Sequence, residues 1–254
     1  METVLKLRQV YAGYKKTDVL QGLSFEVQKG QVFGVIGPNG CGKTTMLNVL
    51  SGTLPLSSGS ILFEEKEISR LSADARCRLG IGRTFQIPRP FGRLSVLENV
   101  RAAGVFGAGL SMKEAWEEAI EVLKLTGLID MRDTRSGELT LLDRKRLEIA
   151  RAVAGRPRLL LLDEVAAGLT GEEVIEVMDL VALLKERGFT IIWIEHIIET
   201  MVKATDHLLC MAQGKTAIEG LPEEVMHSRE VLELYLGKDA FSEKDSQDGG
   251  RRVC

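Results

Sequence analysis

The chain contains no long apolar run. No stretch approaches the roughly 18 consecutive apolar residues that a membrane-crossing helix needs, so no segment is expected to span a bilayer. The first residues, Met1-Glu2-Thr3-Val4-Leu5-Lys6, do not follow the pattern of a secretory signal. Cysteine is scarce. The four in 254 residues, Cys41, Cys77, Cys210 and Cys254, show neither paired nor metal-ligand spacing. They read as reduced thiols of a cytosolic protein. Charge of one sign is also scarce: 33 basic against 36 acidic residues leave a net charge of −3. That balance gives no support to nucleic acid as the main partner. The one basic cluster, Arg144-Lys145-Arg146, lies among helix formers and reads as a solvated helix face.

Hydrophobic residues make up 44% of the chain, enough for one or two compact lobes with ample core. Polar–apolar alternation through Val4 to Val10 and Leu23 to Val27 predicts strands. Val32 to Ile36 predicts a buried strand after the Lys29-Gly30 turn, and Ile61 to Phe63 a short one. Ser111-Met112-Lys113-Glu114 is a capping box. Behind it Met112, Ala115, Trp116, Ala119, Ile120 and Leu123 recur at helical spacing and read as core, with Gly127 as the stop. A second helix is predicted over Leu141 to Ala154, capped by Thr140. Leu159 to Leu162 and Thr190 to Ile194 suit strands buried on both faces. A capped helix opens at Thr170-Gly171-Glu172-Glu173 and ends near Gly188. Leu208 to Met211 and Lys215 to Glu219 form a hairpin around Gln213-Gly214.

The chemistry is concentrated in Gly37-Pro38-Asn39-Gly40-Cys41-Gly42-Lys43-Thr44-Thr45. This fits G-x-x-x-x-G-K-[ST], with a strand before it and helix formers after it. Glycines let successive backbone N–H groups turn inward to phosphate oxygens, and a helix N-terminus adds partial positive charge. Lys43 is expected to reach the β- and γ-phosphates and Thr44 to hold Mg²⁺. Cys41 lies beside that helix N-terminus and Lys43, both of which favour thiolate. The run Leu159 to Glu164 ends in two acids. At the C-terminal end of a parallel strand they would stand beside the loop, Asp163 for Mg²⁺ and Glu164 for the attacking water. His196, after Ile194-Glu195, ends another strand. Gln86 carries no signal by itself.

Taken together and in order, these segments resemble an ATP-binding-cassette ATPase over nearly the whole chain. Gly37 to Thr45 match Walker A, Gln86 the Q-loop, Leu159 to Glu164 Walker B and His196 the switch histidine. The resemblance implies an α/β fold: a P-loop NTPase core with an N-terminal antiparallel β subdomain and an inserted helical subdomain, about 85–155. The ATPase domain would cover 1–237, and 238–254 would be a disordered tail. It also implies that Glu164, His196 and Gln86 are catalytic and that Thr44, Gln86 and Asp163 attend Mg²⁺. Gly37 to Thr45 would hold ATP, with Tyr14 stacking on adenine and Tyr11 as the competing aromatic. The segment after Gln86 would dock on a membrane partner. Gly82 to Gln86, Leu97 to Val100, Arg146 to Ala152, Ala166 to Leu169 and Tyr235-Leu236-Gly237 resemble the ATPase subunits of branched-chain amino-acid importers and their urea and amide relatives.

Two departures from the family pattern stand out. The signature normally reads L-S-G-G-Q, and here it is Leu139-Thr140-Leu141-Leu142-Asp143. Leu142 would add bulk, and Asp143 a negative charge beside a polyanion held by the opposite subunit. Val165 and Thr170 also replace the usual proline and aspartate after Walker B. The resemblance therefore implies membrane permease partners, indirectly a solute-binding protein, and a second, different ATPase subunit with a normal signature. The chain would sit peripherally on the cytoplasmic face of the membrane. The competing readings are an ATP-binding regulatory subunit with little hydrolysis and a soluble ABC protein outside transport.

Overall fold

The computed structural model describes residues 2–15 and 17–236. The tail expected to be disordered, 238–254, and Gly237 lie outside them. Two long strands, β1 (Thr3–Tyr14) and β2 (Thr17–Gln28), open the chain, followed by β3 (Val32–Ile36) and helix α1 (Lys43–Leu50). Then come β4 (Ser58–Phe63), β5 (Lys66–Glu67), α2 (Ala73–Arg78) and β6 (Ile81–Arg83). Three helices occupy the stretch expected to be a helical insertion: α3 (Val96–Ala108), α4 (Met112–Leu125) and α5 (Leu141–Ala154). Strand and helix then alternate from β7 (Leu159–Asp163) through α6 (Gly171–Glu186), β8 (Thr190–Ile194), α7 (Ile198–Ala204) and β9 (His207–Ala212), and the described chain closes with β10 (Lys215–Gly220), α8 (Pro222–Met226) and α9 (Arg229–Leu236).

The strands form an antiparallel sheet ordered β2-β1-β4-β5 and a six-stranded sheet ordered β10-β9-β3-β8-β7-β6. In the second sheet β9, β3, β8, β7 and β6 are parallel, and β10 is antiparallel at one edge. β3, β7 and β8 are buried along their whole length, as continuous apolar runs without alternation require. One core cluster lies between the two sheets, and the other packs the helices on the opposite face. Phe33 sits between the layers, its ring 5.2 Å from Phe25 and 5.3 Å from His207.

The capping boxes at Ser111/Glu114 and Thr170/Glu173 are both formed, and a third, Ser95/Glu98, opens α3. Each such cap stabilises its helix by about 1 kcal/mol. The α4 stripe needs a correction: Ala115, Ala119 and Leu123 are buried, but Met112 and Trp116 are exposed. Met112 is the first residue of the helix. Trp116 lies at the edge of the stripe, its ring 5.9 Å from the Arg101 guanidinium. Edge strand β6 and helices α2 and α7 to α9 carried too short a pattern to be read from the sequence. Among the described residues no helix is long and apolar enough to cross a membrane.

Arg76 of α2 is wholly buried. It donates to the carbonyls of Val49 and Leu50 at the end of α1 (2.6 and 3.0 Å), and to Leu71 and Ser69 (both 3.1 Å). A cation at a helix C-terminus meets the negative end of the helix dipole, and it satisfies carbonyls that the helix leaves open. Arg76→Met should therefore lower unfolding free energy by about 3 kcal/mol, read from urea denaturation. A loss below about 1 kcal/mol would remove Arg76 as the link between α2 and α1.

Candidate functional site

The parallel register lines up three strand ends. Val35 of β3 pairs with Ile194 of β8, and Ile194 pairs with Asp163 of β7. The glycine loop after β3, Glu164 after β7 and His196 after β8 therefore emerge at one edge of the sheet, where parallel sheets bind ligands. They meet in a cleft of about 160 Å³ lined by Asn39, Gly40, Gly42, Lys43, Thr44, Thr45, Glu164, His196 and Val19. Val19, on β2, had no sequence signal.

Gly37 has φ +147°, and a Cβ there would stand 2.2 Å from the carbonyl oxygen of Met211. Only glycine allows the loop to lie so close to β9. Gly42, at φ +110°, caps α1, so the N–H groups of Lys43, Thr44 and Thr45 have no partner within the helix. The Lys43 ammonium donates to the carbonyls of Gly37 (2.6 Å) and Pro38 (3.3 Å). Gly37 N–H donates to the Tyr235 hydroxyl at 3.0 Å, which brings α9 onto the loop. Burial pushes the Tyr235 phenol up to about 12, so it stays neutral near pH 7.

Glu164 is buried and has φ +48°, a left-handed conformation that costs a non-glycine residue about 1–3 kcal/mol. Its carboxylate accepts from Gln86 Nε2 and faces His196 Nε2 at 2.6 Å. Two side chains far apart in sequence thus converge on one carboxylate. Asp163 accepts from Arg83 at 3.2 Å through Oδ2. Its Oδ1 is buried without a partner among the described residues. Burial pushes the Asp163 carboxyl above its ordinary value, while Arg83 pulls it down. A buried acceptor with no donor is the environment that a divalent cation fits.

Several side chains in the site were not anticipated. Lys145 is 2% exposed, and its ammonium donates to the carbonyls of Gln86 (2.8 Å) and Glu164 (2.9 Å). The expected solvated basic face is therefore wrong at Lys145, which lies on the inner side of α5. Burial pulls its pKa below the ordinary lysine value. Glu195 is buried and accepts from Ala166 N–H (2.7 Å) and Trp193 Nε1 (3.3 Å), fixing the turn after Glu164. Tyr14 does not line the cleft: it is half exposed, and its hydroxyl accepts from Asn48 at 2.8 Å. The Tyr11 hydroxyl lies against Gly22, and Tyr11 does not line the cleft either.

The altered signature is also corrected in detail. Thr140 caps α5, and its hydroxyl donates to Asp143 Oδ2 at 2.6 Å. Arg146 approaches the other Asp143 oxygen at 3.8 Å. The Asp143 carboxylate is thus turned into its own helix instead of standing at the outer face. Leu142 is in the core, and Leu141 is the exposed one at 45%. Thr170, in place of the usual aspartate, caps α6.

Cys41 is buried, and burial is the dominant influence on its thiol, pushing it above the ordinary value against the opposing pull of Lys43. The expected thiolate is therefore overturned. A protonated, covered thiol reacts slowly. In the native chain Cys41 should be alkylated by iodoacetamide several-fold more slowly than the partly exposed Cys77, with peptide mass spectrometry as the readout. Equal rates would show that the loop opens readily.

The chain is similar to known proteins in sequence and in fold. Residues 20–167 match the family model described as "ABC transporter". The chain is 35% identical over 234 residues to the high-affinity branched-chain amino acid transport ATP-binding protein BraF of Pseudomonas aeruginosa, covering 86% of this chain and 92% of BraF. It is 32% identical over 235 residues to the lipopolysaccharide export system ATP-binding protein LptB of Escherichia coli strain K12, covering 92% and 98%. Among solved structures, the ADP conformation of MJ1267, an ATP-binding cassette of an ABC transporter, superposes with a TM-score of 0.84 at 30% identity, covering 94% and 100%. The chain belongs to the ABC transporter family, as an ATP-hydrolysing, ATP-binding subunit of the kind that works with membrane permease components.

Proposed function

We propose that this chain powers the import of amino acids or related small polar solutes, acting from the cytoplasmic face of a membrane. The observation that carries the catalytic part is the convergence of Gln86, His196 and the glycine loop on Glu164. The import reading is supported by the likeness to BraF and by the resemblance of sequence blocks such as Gly82 to Gln86 to branched-chain amino-acid importer subunits. A permease fits the apolar surface beside Gln86, where Ile87 and Phe91 are exposed and the exposed Phe85 and Phe106 line a groove of about 390 Å³.

In this reading the N–H groups of the loop and of the first turn of α1 hold the phosphates of ATP, and Lys43 leaves its loop carbonyls for the γ-phosphate. Thr44 and Asp163, with Gln86, would hold Mg²⁺, and the unpartnered Asp163 Oδ1 is the oxygen available to it. When bound there, Mg²⁺ would supply charge neutralisation for the transferred phosphoryl group. Glu164 takes the proton of the attacking water. His196 holds the Glu164 carboxylate and reaches the γ-phosphate. Tyr14, near α1, offers its ring to adenine from outside the phosphate cleft.

Glu164→Gln should retain MgATP binding and lose turnover by about a hundredfold or more, because the amide still bonds water but cannot take its proton. Phosphate release and nucleotide binding measured on one preparation decide it. Turnover within a few-fold of the parent would remove Glu164 as the base.

The physiological dimer is proposed to pair this chain with a different ATPase chain that carries a normal signature. The supporting feature is Leu141, which presents bulk where the family has glycine at the phosphate-facing start of α5. Leu141→Gly should strengthen MgATP-dependent dimerisation of the isolated Glu164→Gln chain on size-exclusion chromatography. Leu142→Gly should destabilise the fold instead, by about 3 kcal/mol or more, because Leu142 is in the core. A homodimer of the unrepaired chain as stable as the Leu141→Gly one would defeat this reading.

A further inference from the structure

We infer that Arg83 is the positioning residue of the Mg²⁺ site, an inference that rests on the reading of Thr44 and Asp163 given above. Arg83 ends β6, next to β7, and its side chain is 8% exposed. One guanidinium nitrogen donates to Asp163 Oδ2 at 3.2 Å. The other donates to Asn48 Oδ1 at 2.7 Å and to Ser51 Oγ at 3.0 Å. Asn48 stands four residues after Thr44 on α1, hence on the same helix face one turn along. A single planar group therefore ties the strand end that carries Asp163 to the helix that carries Thr44.

The arrangement also orients the acid. With Oδ2 engaged by Arg83, Oδ1 is the oxygen left without a partner. The Arg83 guanidinium also lies 5.1 Å from the Phe85 ring, the residue before Gln86, so the start of the Q-loop shares the same support. A guanidinium forms this fork because its donors are fixed in one plane, and a lysine ammonium cannot span both partners with that geometry.

Positioning and plain electrostatics differ in sign. A positive charge next to a cation site repels the cation, so if charge alone mattered, removing Arg83 would tighten Mg²⁺ binding. If Arg83 holds the two ligand-bearing elements in register, removing it loosens the site. Loss of an outer partner of a metal ligand typically lowers metal affinity about 10–100-fold.

The test measures ATP affinity of the Glu164→Gln chain with Mg²⁺ and with EDTA, by equilibrium dialysis, for the parent, Arg83→Met and Arg83→Lys. The expected result is that both substitutions reduce the Mg²⁺-dependent gain in affinity about tenfold and leave Mg²⁺-free binding within about twofold. Circular dichroism checks folding, and Arg83→Lys, which keeps the charge, carries the test if Arg83→Met does not fold. Unchanged or tighter MgATP binding, or equal losses with and without Mg²⁺, would overturn the inference. Asp163→Asn separates the two levels. If Asp163→Asn keeps the Mg²⁺-dependent gain, the Mg²⁺ reading itself fails. If it loses the gain while the Arg83 variants keep it, only the role of Arg83 fails.

Discussion

The parallel pairing of β3 with β8, and of β8 with β7, is the constraint on which the site depends. It sets Val35, Ile194 and Asp163 at one level, so the residues one or two positions beyond them must leave the sheet together. A slip of one residue in either pair would move Asp163 by about 3.3 Å and turn its side chain to the other face. Complete burial on both faces makes the register costly to change, because each strand packs helices on one side and the antiparallel sheet on the other.

The strain at the site is concentrated at Glu164, whose left-handed backbone is held on every side. Its N–H donates to Ile194, its carbonyl accepts from Lys145, and its carboxylate meets Gln86 and His196. Lys145 also holds the Gln86 carbonyl, so one ammonium from the helix that starts at the signature segment reaches both Walker B and the Q-loop. Movement of α5 therefore cannot leave these two segments undisturbed. In a family that couples nucleotide state to a membrane partner, such a tie places the core and the helical region on one mechanical path. Coupling of this kind is a physical link between elements, distinct from a measured coupling energy.

Much of the fold was legible because its signals are local. The glycine loop, the two capping boxes at Ser111 and Thr170, the Thr140 cap, the apolar strands and the Gln213-Gly214 hairpin each follow from short-range rules, and each is present. Local signals misled where burial was the deciding quantity. Lys145 reads as solvated because lysine usually is, yet two carbonyls satisfy its ammonium inside the protein. Cys41 reads as thiolate because of its neighbours, yet desolvation outweighs them. Asp143 reads as an outward charge, yet its own cap and Arg146 draw it inward. Arg83 gave no signal of its own, because its partners Asn48 and Asp163 lie 35 and 80 residues away.

The sequence by itself determined the strand–loop–helix unit around Lys43, the acid pair ending an apolar strand, and the helix starts. These depend on backbone conformations and periodicities that neighbouring residues impose on one another. The tertiary structure alone decided which side chains meet: Glu164 with Gln86 and His196, Asp163 with Arg83, Lys145 with two carbonyls, and Tyr235 with Gly37. Those contacts join residues up to 198 positions apart. Their strength comes from water being excluded, and exclusion is a property of the packed whole that no short stretch of chain possesses.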